Sequence, residues 1–204
     1  MAKIFLTSNG FFTDTIKNEF LTIIKEQLLN PKAVIITTAS PHKETNKYAI
    51  KAKNDFIKMG IKQVEFLDIE FDEPNKLKQY NIIYINGGNP FKLLYHMKKS
   101  GADSILKELV KQPTIFVGVS AGAVILGPNI EVVNYFTPEM NVFELNDLTA
   151  LTITEKAIFP HYDSKDIFAD PSGKSIEERL TEFERQKNMS VTRLREDQYL
   201  LINV

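Results

Sequence analysis

The stretch FVGVSAGAVILG, residues 116–127, joins an apolar run to a serine that stands between two glycines. The apolar run is typical of a strand covered on both faces of a sheet, and the small residues after it favour a tight turn into a helix from about Ala121. Such a turn holds a serine in a strained backbone conformation at the end of the strand. The pattern therefore indicates either that Ser120 is a nucleophile or that the chain makes an ordinary turn from strand to helix.

Outward from this stretch, short β-rich runs alternate with longer amphipathic segments. The pattern predicts strands at 3–8, 33–38, 63–68, 81–85 and 114–119. It predicts helices at 13–29, at about 44–59, from about Pro90 and at 102–111, with a short helical piece between the third and fourth strands. Nearly apolar strands that alternate with helices predict an α/β fold with a doubly wound, mostly parallel sheet.

Beyond residue 128 the alternation is less regular. The runs at 129–136 and 150–159 predict further strands, 174–188 predicts a charged helix, and 189–194 with 199–204 predicts a closing hairpin. No internal repeat, low-complexity tract or linker interrupts the sequence. We therefore expect a single domain over residues 1–204.

The composition of the 204 residues narrows the classes of function. The net charge of −1 gives no overall field for a polyanion, so no nucleic-acid partner is expected. The chain has no cysteine, which excludes disulfides, thiolate metal sites and a cysteine nucleophile. Neither a signal-peptide pattern nor an apolar stretch of about 18 residues occurs, so we expect no membrane association and a cytoplasmic location.

A serine nucleophile requires a base, and the sequence has three histidines. His161 follows an apolar, strand-like run at a predicted strand end and is the best candidate, although a structural loop histidine fits the same pattern. His42 lies in a loop that is either near the site or solvated. His96 falls inside a predicted helix, where a surface or hydrogen-bonded histidine is expected.

A catalytic base also needs an acid that orients it, and sequence spacing alone does not identify which residue this is. The candidate carboxylates around His161 are Asp147, Glu155, Asp163, Asp166, Asp170, Glu196 and Asp197. For an oxyanion hole, the segment INGGNP (85–90) places two glycines after the fourth strand. If the fourth and fifth strands are neighbours, the N–H of Gly88 can join that of Ala121; the alternative is an ordinary Asn-Gly turn.

Four segments in this order resemble peptidase family S51, the serine peptidases that include the aspartyl dipeptidases. The segments are YINGGNPFKLL (84–94), GVSAGAVIL (118–126), FPHYD (159–163) and RLRED (193–197), and the similarity runs over nearly the whole chain. The resemblance implies a three-layer α/β sandwich related to the class I glutamine amidotransferases. It implies no metal and no cofactor.

Carried over by position, the resemblance implies a role for six residues. Ser120 is then the nucleophile, His161 the general base and Glu196 the acid. The N–H groups of Gly88 and Ala121 form the oxyanion hole, and Asn89 lies in a loop near the substrate.

Two positions depart from the family pattern. Pro90 stands where the family commonly has threonine, which removes a hydroxyl and an N–H. In GKSIEERL (173–180), Ile176 takes the place of the first of two family arginines, and only Arg179 remains. We therefore expect the preference for N-terminal aspartate to be weaker than in the dipeptidases, with Arg179 as the remaining arginine that can bind substrate. The alternative is that Arg179 is only a surface partner of Glu178 or Glu182.

The sequence thus predicts a serine peptidase that hydrolyses short peptides, such as Asp-X dipeptides, through a Ser-His-Glu triad and an acyl-enzyme. We expect a monomer or a homodimer. Two alternatives stay open: a catalytically idle protein that binds small peptides on the same scaffold, and an α/β-hydrolase-type esterase. The esterase order of Ser, acid, His would require an acid from residues 131–155.

Overall fold

The structure is a computed structural model that describes the backbone of residues 1–204 and every side chain except that of Lys165. The strands are β1 (Lys3–Thr7), β2 (Lys32–Ile36), β3 (Gln63–Leu67), β4 (Ile82–Ile85), β5 (Ile115–Val119), β6 (Ala157–Phe159), β7 (Val191–Arg193) and β8 (Tyr199–Asn203). The helices are α1 (Asp14–Gln27), α2 (Lys47–Lys58), α3 (Pro90–Ser100), α4 (Ala102–Leu109), α5 (Ala121–Ile125), α6 (Glu131–Phe136) and α7 (Ile176–Lys187).

Six strands form the central sheet in the order β3-β2-β4-β5-β1-β8. The first five strands along the chain are parallel, and β8 adds to β1 as an antiparallel edge. Parallel strands are buried on both faces, which explains why β4 and β5 consist of buried residues throughout. The five strands predicted before residue 128 and the mostly parallel sheet are therefore confirmed.

Helices cover both faces of the sheet. In β1, the side chain of Phe5 joins the core formed with α1 and α2, whereas Ile4 and Leu6 join the core formed with α3, α4 and α5. This alternation is the two-residue period of a strand, and it gives three layers, helix on sheet on helix. Capping side chains set where helices begin: Thr13, Asn46, Asn89 and Ser175 accept backbone N–H groups of the first turn.

The predicted strand at 129–136 is wrong, because this segment forms α6. The side chain of Asn129 accepts the N–H of Glu131 where the helix begins. Val132 and Phe136, one helical turn apart, are buried in a smaller core with α7. The β-branched and aromatic residues that suggested a strand thus form the buried face of a helix.

The segments at 150–159 and 189–204 also differ from prediction. Only Ala157–Phe159 of the first is a strand, because residues 151–154 donate to carbonyls of the turn after α5. The predicted closing hairpin does not form: β7 pairs in parallel with β6, and β8 pairs with β1. Side chains also join β8 to β1: the ring of Tyr199 stacks on that of Phe5 with 5.0 Å between centroids.

Of the helices in the described part of the chain, none has both the length and the apolar composition needed to span a bilayer.

Candidate active site

The carboxyl ends of the parallel strands open onto a cavity of about 590 Å³. Its wall includes Ser8 after β1, Ala39 after β2, Gly88 after β4 and Ser120 after β5, together with His161. In open α/β sheets, ligands bind at this edge. Most of the candidate residues predicted from the sequence line this one cavity.

Ser120 adopts a strained backbone conformation, with φ 51° and ψ −114°, between β5 and α5. The tightness of the turn is visible at its glycines. A Cβ atom on Gly122 would lie 2.1 Å from the carbonyl oxygen of Ile85, and one on Gly118 would lie 2.8 Å from that of Gly122. Only glycine fits at these two positions, so the small residues are required to present the serine hydroxyl at the end of the strand.

A chain of hydrogen bonds joins three side chains from distant parts of the sequence. The Nε2 atom of His161 lies 2.8 Å from Ser120 Oγ, and its Nδ1 atom lies 2.5 Å from Glu196 Oε1. His161 also has a positive φ of 57°, so its backbone is held in an uncommon conformation that aims the ring. An imidazole bonded at both nitrogens in this way can take a proton from the hydroxyl while the carboxylate fixes its tautomer.

The carboxylate of Glu196 is itself held in place. Ser164 Oγ donates to Glu196 Oε1 at 2.9 Å, and the backbone N–H of Glu196 donates to Asp163 Oδ1 at 3.0 Å. Two of the other candidate acids have different partners: Asp147 pairs with Lys98 at 2.7 Å, and Asp197 lies 3.6 Å from Arg195. Glu196 is thus the carboxylate at the imidazole, rather than an acid from 131–155 as the esterase alternative requires.

The backbone N–H groups of Gly88 and Ala121 have no protein acceptor among the described residues; Ala121 directly follows Ser120, and Gly88 lines the same cavity as the serine. The strands that precede them, β4 and β5, are neighbours. Gly88 has φ 144°, and a Cβ atom there would lie 2.4 Å from the carbonyl oxygen of Ala39. Its backbone therefore has a conformation and a contact that only glycine allows, and its N–H is free to donate to a ligand.

Asn89 lines the cavity, but its side chain already has partners. Its Oδ1 accepts the N–H groups of Phe91 and Lys92, and its Nδ2 donates to the carbonyl of Met140 at 2.8 Å. Pro90 occupies the first turn of α3, where a missing N–H leaves no hydrogen bond unmade. Both residues shape the loop that carries Gly88.

Arg179 does not lie among the residues that line the cavity. Its guanidinium sits 4.0 Å from the centroid of the Phe136 ring, lies 3.5 Å from Asp170 Oδ2, and donates to the carbonyl of Phe168 at 3.0 Å. Ile176, one turn earlier, is buried in the smaller core. The structure thus places both positions in the packing around α7, away from the other predicted site residues.

The two remaining histidines lie in different surroundings. His42 lines the cavity and is exposed. His96 is buried in α3 rather than surface-exposed or hydrogen-bonded: its Nε2 has no hydrogen-bond partner among the described residues and lies 3.8 Å from Glu70 Oε1, and burial lowers its pKa. Within the same described residues, no group of three or more His, Cys, Asp or Glu side chains could hold a metal ion.

A partly buried ion network lies next to His42. Lys43 pairs with Asp68 at 2.7 Å and with Glu70, and Lys92 pairs with Glu70 at 2.9 Å. Hydrogen bonds from the two ammonium groups lower the pKa of Glu70 to about 2. The network ties the loop after β2 to α3, and so fixes the cavity wall between them.

Several polar residues of the site were not predicted from the sequence, among them Ser8, Ser164, Asp55 and Tyr84. Ser8 follows β1 directly, so its position at a strand end was an available signal. Ser164 lies three residues after His161 and donates to Glu196. Asp55 and Tyr84 line the cavity from α2 and β4, where the sequence pattern marks only a helix and a buried strand.

Comparison with known proteins relates the chain to peptidases. A sequence model of the family described as peptidase family S51 matches residues 4–203. An uncharacterised peptidase of Listeria monocytogenes is 32% identical over 168 residues, which cover 80% of each protein. Peptidase E of Escherichia coli is 26% identical over 163 residues, which cover 79% of this chain and 69% of that protein.

Two solved structures share the fold. A Listeria monocytogenes protein with the provisional name peptidase E has a TM-score of 0.73 at 25% identity, with 100% of this chain and 99% of that chain covered. A peptidase from an acI-B1 Actinobacterium has a TM-score of 0.69 at 16% identity, with 100% and 84% covered, and this likeness concerns the fold alone. The fold is the α/β sandwich of the class I glutamine amidotransferase type, as the sequence predicts.

Proposed function

The chain belongs to peptidase family S51 and is a peptidase, and we propose that it is of the serine type, with Ser120 as nucleophile, His161 as general base and Glu196 as the acid. The observation that carries the proposal is the continuous hydrogen-bonded chain of these three side chains, at 2.8 and 2.5 Å, on the wall of the cavity. A strained serine, a base within hydrogen-bond reach and an oriented imidazole are the parts that nucleophilic catalysis needs.

In the first half-reaction, Ser120 Oγ attacks the carbonyl carbon of the scissile peptide bond. His161 Nε2 takes the hydroxyl proton as the C–O bond forms, and the Glu196 carboxylate stabilises the imidazolium. The carbonyl oxygen becomes an oxyanion. The N–H groups of Gly88 and Ala121 are free to donate to it, which lowers the energy of the tetrahedral intermediate.

Collapse of this intermediate breaks the C–N bond. The proton on His161 passes to the leaving amine, and the acyl group remains on Ser120 as an ester. Water then attacks the ester carbonyl, and His161 takes a proton from that water and returns it to Ser120 Oγ. The net change is hydrolysis of one peptide bond, with no redox step.

The substrates we propose are short peptides with a free N-terminus. Support comes from the resemblance to the aspartyl dipeptidases and from a cavity of about 590 Å³, which is within the range of small-ligand sites. We propose that N-terminal aspartate is not required. Lys51 is the one lysine or arginine among the described residues lining the cavity, and its ammonium already pairs with Asp55 at 2.7 Å.

A screen of dipeptides that vary in the first residue tests the proposal. Release of free amino acids is measured for the wild type and for Ser120→Ala, with acidic, neutral and basic first residues in parallel. Hydrolysis by the wild type that Ser120→Ala lacks is the expected result. Hydrolysis by both proteins at similar rates would exclude the serine mechanism.

A further inference from the structure

One part of the cavity wall is formed by α2, by the loop after β1 and by β4. It consists of Phe11, Tyr48, Lys51, Asp55 and Tyr84, and we refer to it as the α2 wall. It is separate in sequence from the Ser120, His161 and Glu196 positions. Three aromatic rings and one ion pair thus face the same cavity as the serine.

Asp55 has an unused acceptor in this wall. The residue is 8% exposed, and its Oδ2 lies 2.7 Å from Lys51 Nζ. Lys51 Nζ also donates to the carbonyl of Phe11 at 3.3 Å. Asp55 Oδ1 has no hydrogen-bond partner among the described residues, and it is not one of their fully buried unpartnered atoms, so it is accessible from the cavity that Asp55 lines. A donor from a bound ligand would satisfy it.

Tyr84 supplies a second polar group of the same kind. The residue is 3% exposed and lines the cavity, and its hydroxyl has no partner among the residues that the structure describes. Burial and the nearby Asp55 carboxylate raise the pKa of Tyr84 well above its usual range, so the phenol stays neutral. A neutral hydroxyl can accept a hydrogen bond from a cationic donor and leaves the local charge unchanged.

The charges of the cavity favour a cation over an anion. The described residues that line it include one lysine, Lys51, and two carboxylates, those of Asp55 and Glu196. An exposed aromatic ring such as that of Tyr48, which lines the cavity, also attracts cations. An acidic side chain would meet two carboxylates in a partly enclosed site, which disfavours it.

We propose that the α2 wall binds an ammonium group of the substrate peptide, with Asp55 Oδ1 as its acceptor and the Tyr84 hydroxyl as a second contact. This inference rests on the proposed peptidase function and names its substrate class: peptides with a positively charged first residue or, through the α-ammonium group, a free N-terminus. Asp55 is a binding residue and takes no part in the bond-breaking steps.

Peptide binding to the Ser120→Ala protein tests this without relying on turnover. Three peptides are titrated by calorimetry: Lys-Ala, norleucine-Ala, which lacks the side-chain ammonium, and N-acetyl-norleucine-Ala, which has no ammonium at all. Asp55→Asn is expected to weaken Lys-Ala binding by about 10- to 100-fold, because a charge-assisted hydrogen bond is lost. Binding of the acetylated peptide should change less than about threefold.

Norleucine-Ala identifies which ammonium is bound. If Asp55→Asn weakens the binding of norleucine-Ala as much as that of Lys-Ala, the site binds the α-ammonium group. If the binding of norleucine-Ala is unaffected, the site binds the ammonium of the lysine side chain. Lys51→Met, which removes the competing cation, should tighten Lys-Ala binding. The matched control is Asp147→Asn, an exposed acid outside the cavity, which should change none of the three affinities.

Three outcomes overturn the proposal: no binding by any peptide, equal weakening of all three by Asp55→Asn, or weakening of Lys-Ala by both Asp55→Asn and Lys51→Met. The second and third would assign Asp55 a structural role. Hydrolysis by the protein with Ser120 intact is scored separately, so a failed serine mechanism is distinguishable from a failed ammonium site.

Discussion

The backbone N–H of His161 donates to the side chain of Ser8 at 3.0 Å, and Ser8 Oγ in turn donates to the carbonyl of Leu194 at 2.8 Å. Ser8 follows β1, so the buried hydroxyl ties the histidine segment and the β7–β8 loop to the central sheet. The position of His161 is therefore fixed through its backbone N–H, by Ser8, as well as through its ring, by Glu196. Such preorganisation keeps the imidazole of His161 within hydrogen-bond reach of Ser120 in the absence of substrate.

Ser120→Ala should abolish peptide hydrolysis while the protein stays folded. Alanine suits a tight turn between glycines, but it cannot form the acyl-enzyme, and loss of a nucleophile typically removes on the order of 10⁶ in kcat. The rate of dipeptide hydrolysis is measured beside that of Ser190→Ala, an exposed serine that does not line the cavity. Activity of Ser120→Ala within tenfold of the wild type would contradict the mechanism.

Glu196→Gln should lower kcat by about 10³- to 10⁴-fold, because a neutral amide neither fixes the required tautomer of His161 nor stabilises the imidazolium. Asp197→Asn and Asp147→Asn are the matched controls, since these acids pair with Arg195 and Lys98 instead. Both controls should keep nearly full activity. A larger loss in either control than in Glu196→Gln would reassign the acid.

Gly88→Ala should reduce kcat by about 10²- to 10³-fold, the usual effect of losing one oxyanion donor. The new Cβ atom would lie 2.4 Å from the carbonyl oxygen of Ala39, so the loop must move and carry its N–H away. Gly101→Ala is the control for backbone strain, because Gly101 has φ 78° but no atom within 4 Å of a Cβ. It should lose some stability and no activity. Equal kcat for Gly88→Ala and the wild type would remove Gly88 from the oxyanion hole.

The first part of the fold follows from sequence because each element there is fixed by local pattern: apolar strands, amphipathic helices and capping residues. The later part depends on distant pairing. The edge of β1 receives β8, which no local turn signal between β7 and β8 reveals. The loop between β7 and β8 therefore connects two different sheets, and this course brings Glu196 to His161. Sequence spacing does not reveal that course, so it could not identify which carboxylate lies at His161. Asp55 looked like any polar helix residue, since its burial depends on how α2 packs.

The contribution of Glu70 to stability should depend on pH. The unfolded carboxyl has a pKa near 4.5, whereas its ion pairs lower the folded value to about 2. Because the folded pKa is the lower one, the stabilisation is fully present above about pH 5 and is lost as the pH falls toward 2. Urea unfolding of the wild type and Glu70→Gln should differ by about 1 to 2 kcal/mol at pH 7 and converge at acid pH. The exposed Glu139→Gln serves as control, and a Glu70→Gln difference that stays constant with pH would contradict this account.

Arg179→Ala should lower stability and leave substrate selectivity unchanged. The guanidinium is committed to Phe136, Asp170 and the carbonyl of Phe168, so its removal costs a cation–π contact, an ion pair and a hydrogen bond. We expect a loss of about 1 to 2 kcal/mol, which corresponds to a fall in Tm of roughly 2 to 8 °C for a chain of this length.

Since Arg179 does not line the cavity, the ratio of kcat/KM for Asp-Ala to that for Ala-Ala should change less than about threefold. Arg185→Ala, an exposed arginine on the same helix, should alter neither quantity. A tenfold fall in the ratio with an unchanged Tm would place Arg179 at the substrate, and would restore the acidic-substrate pocket that the family resemblance implies.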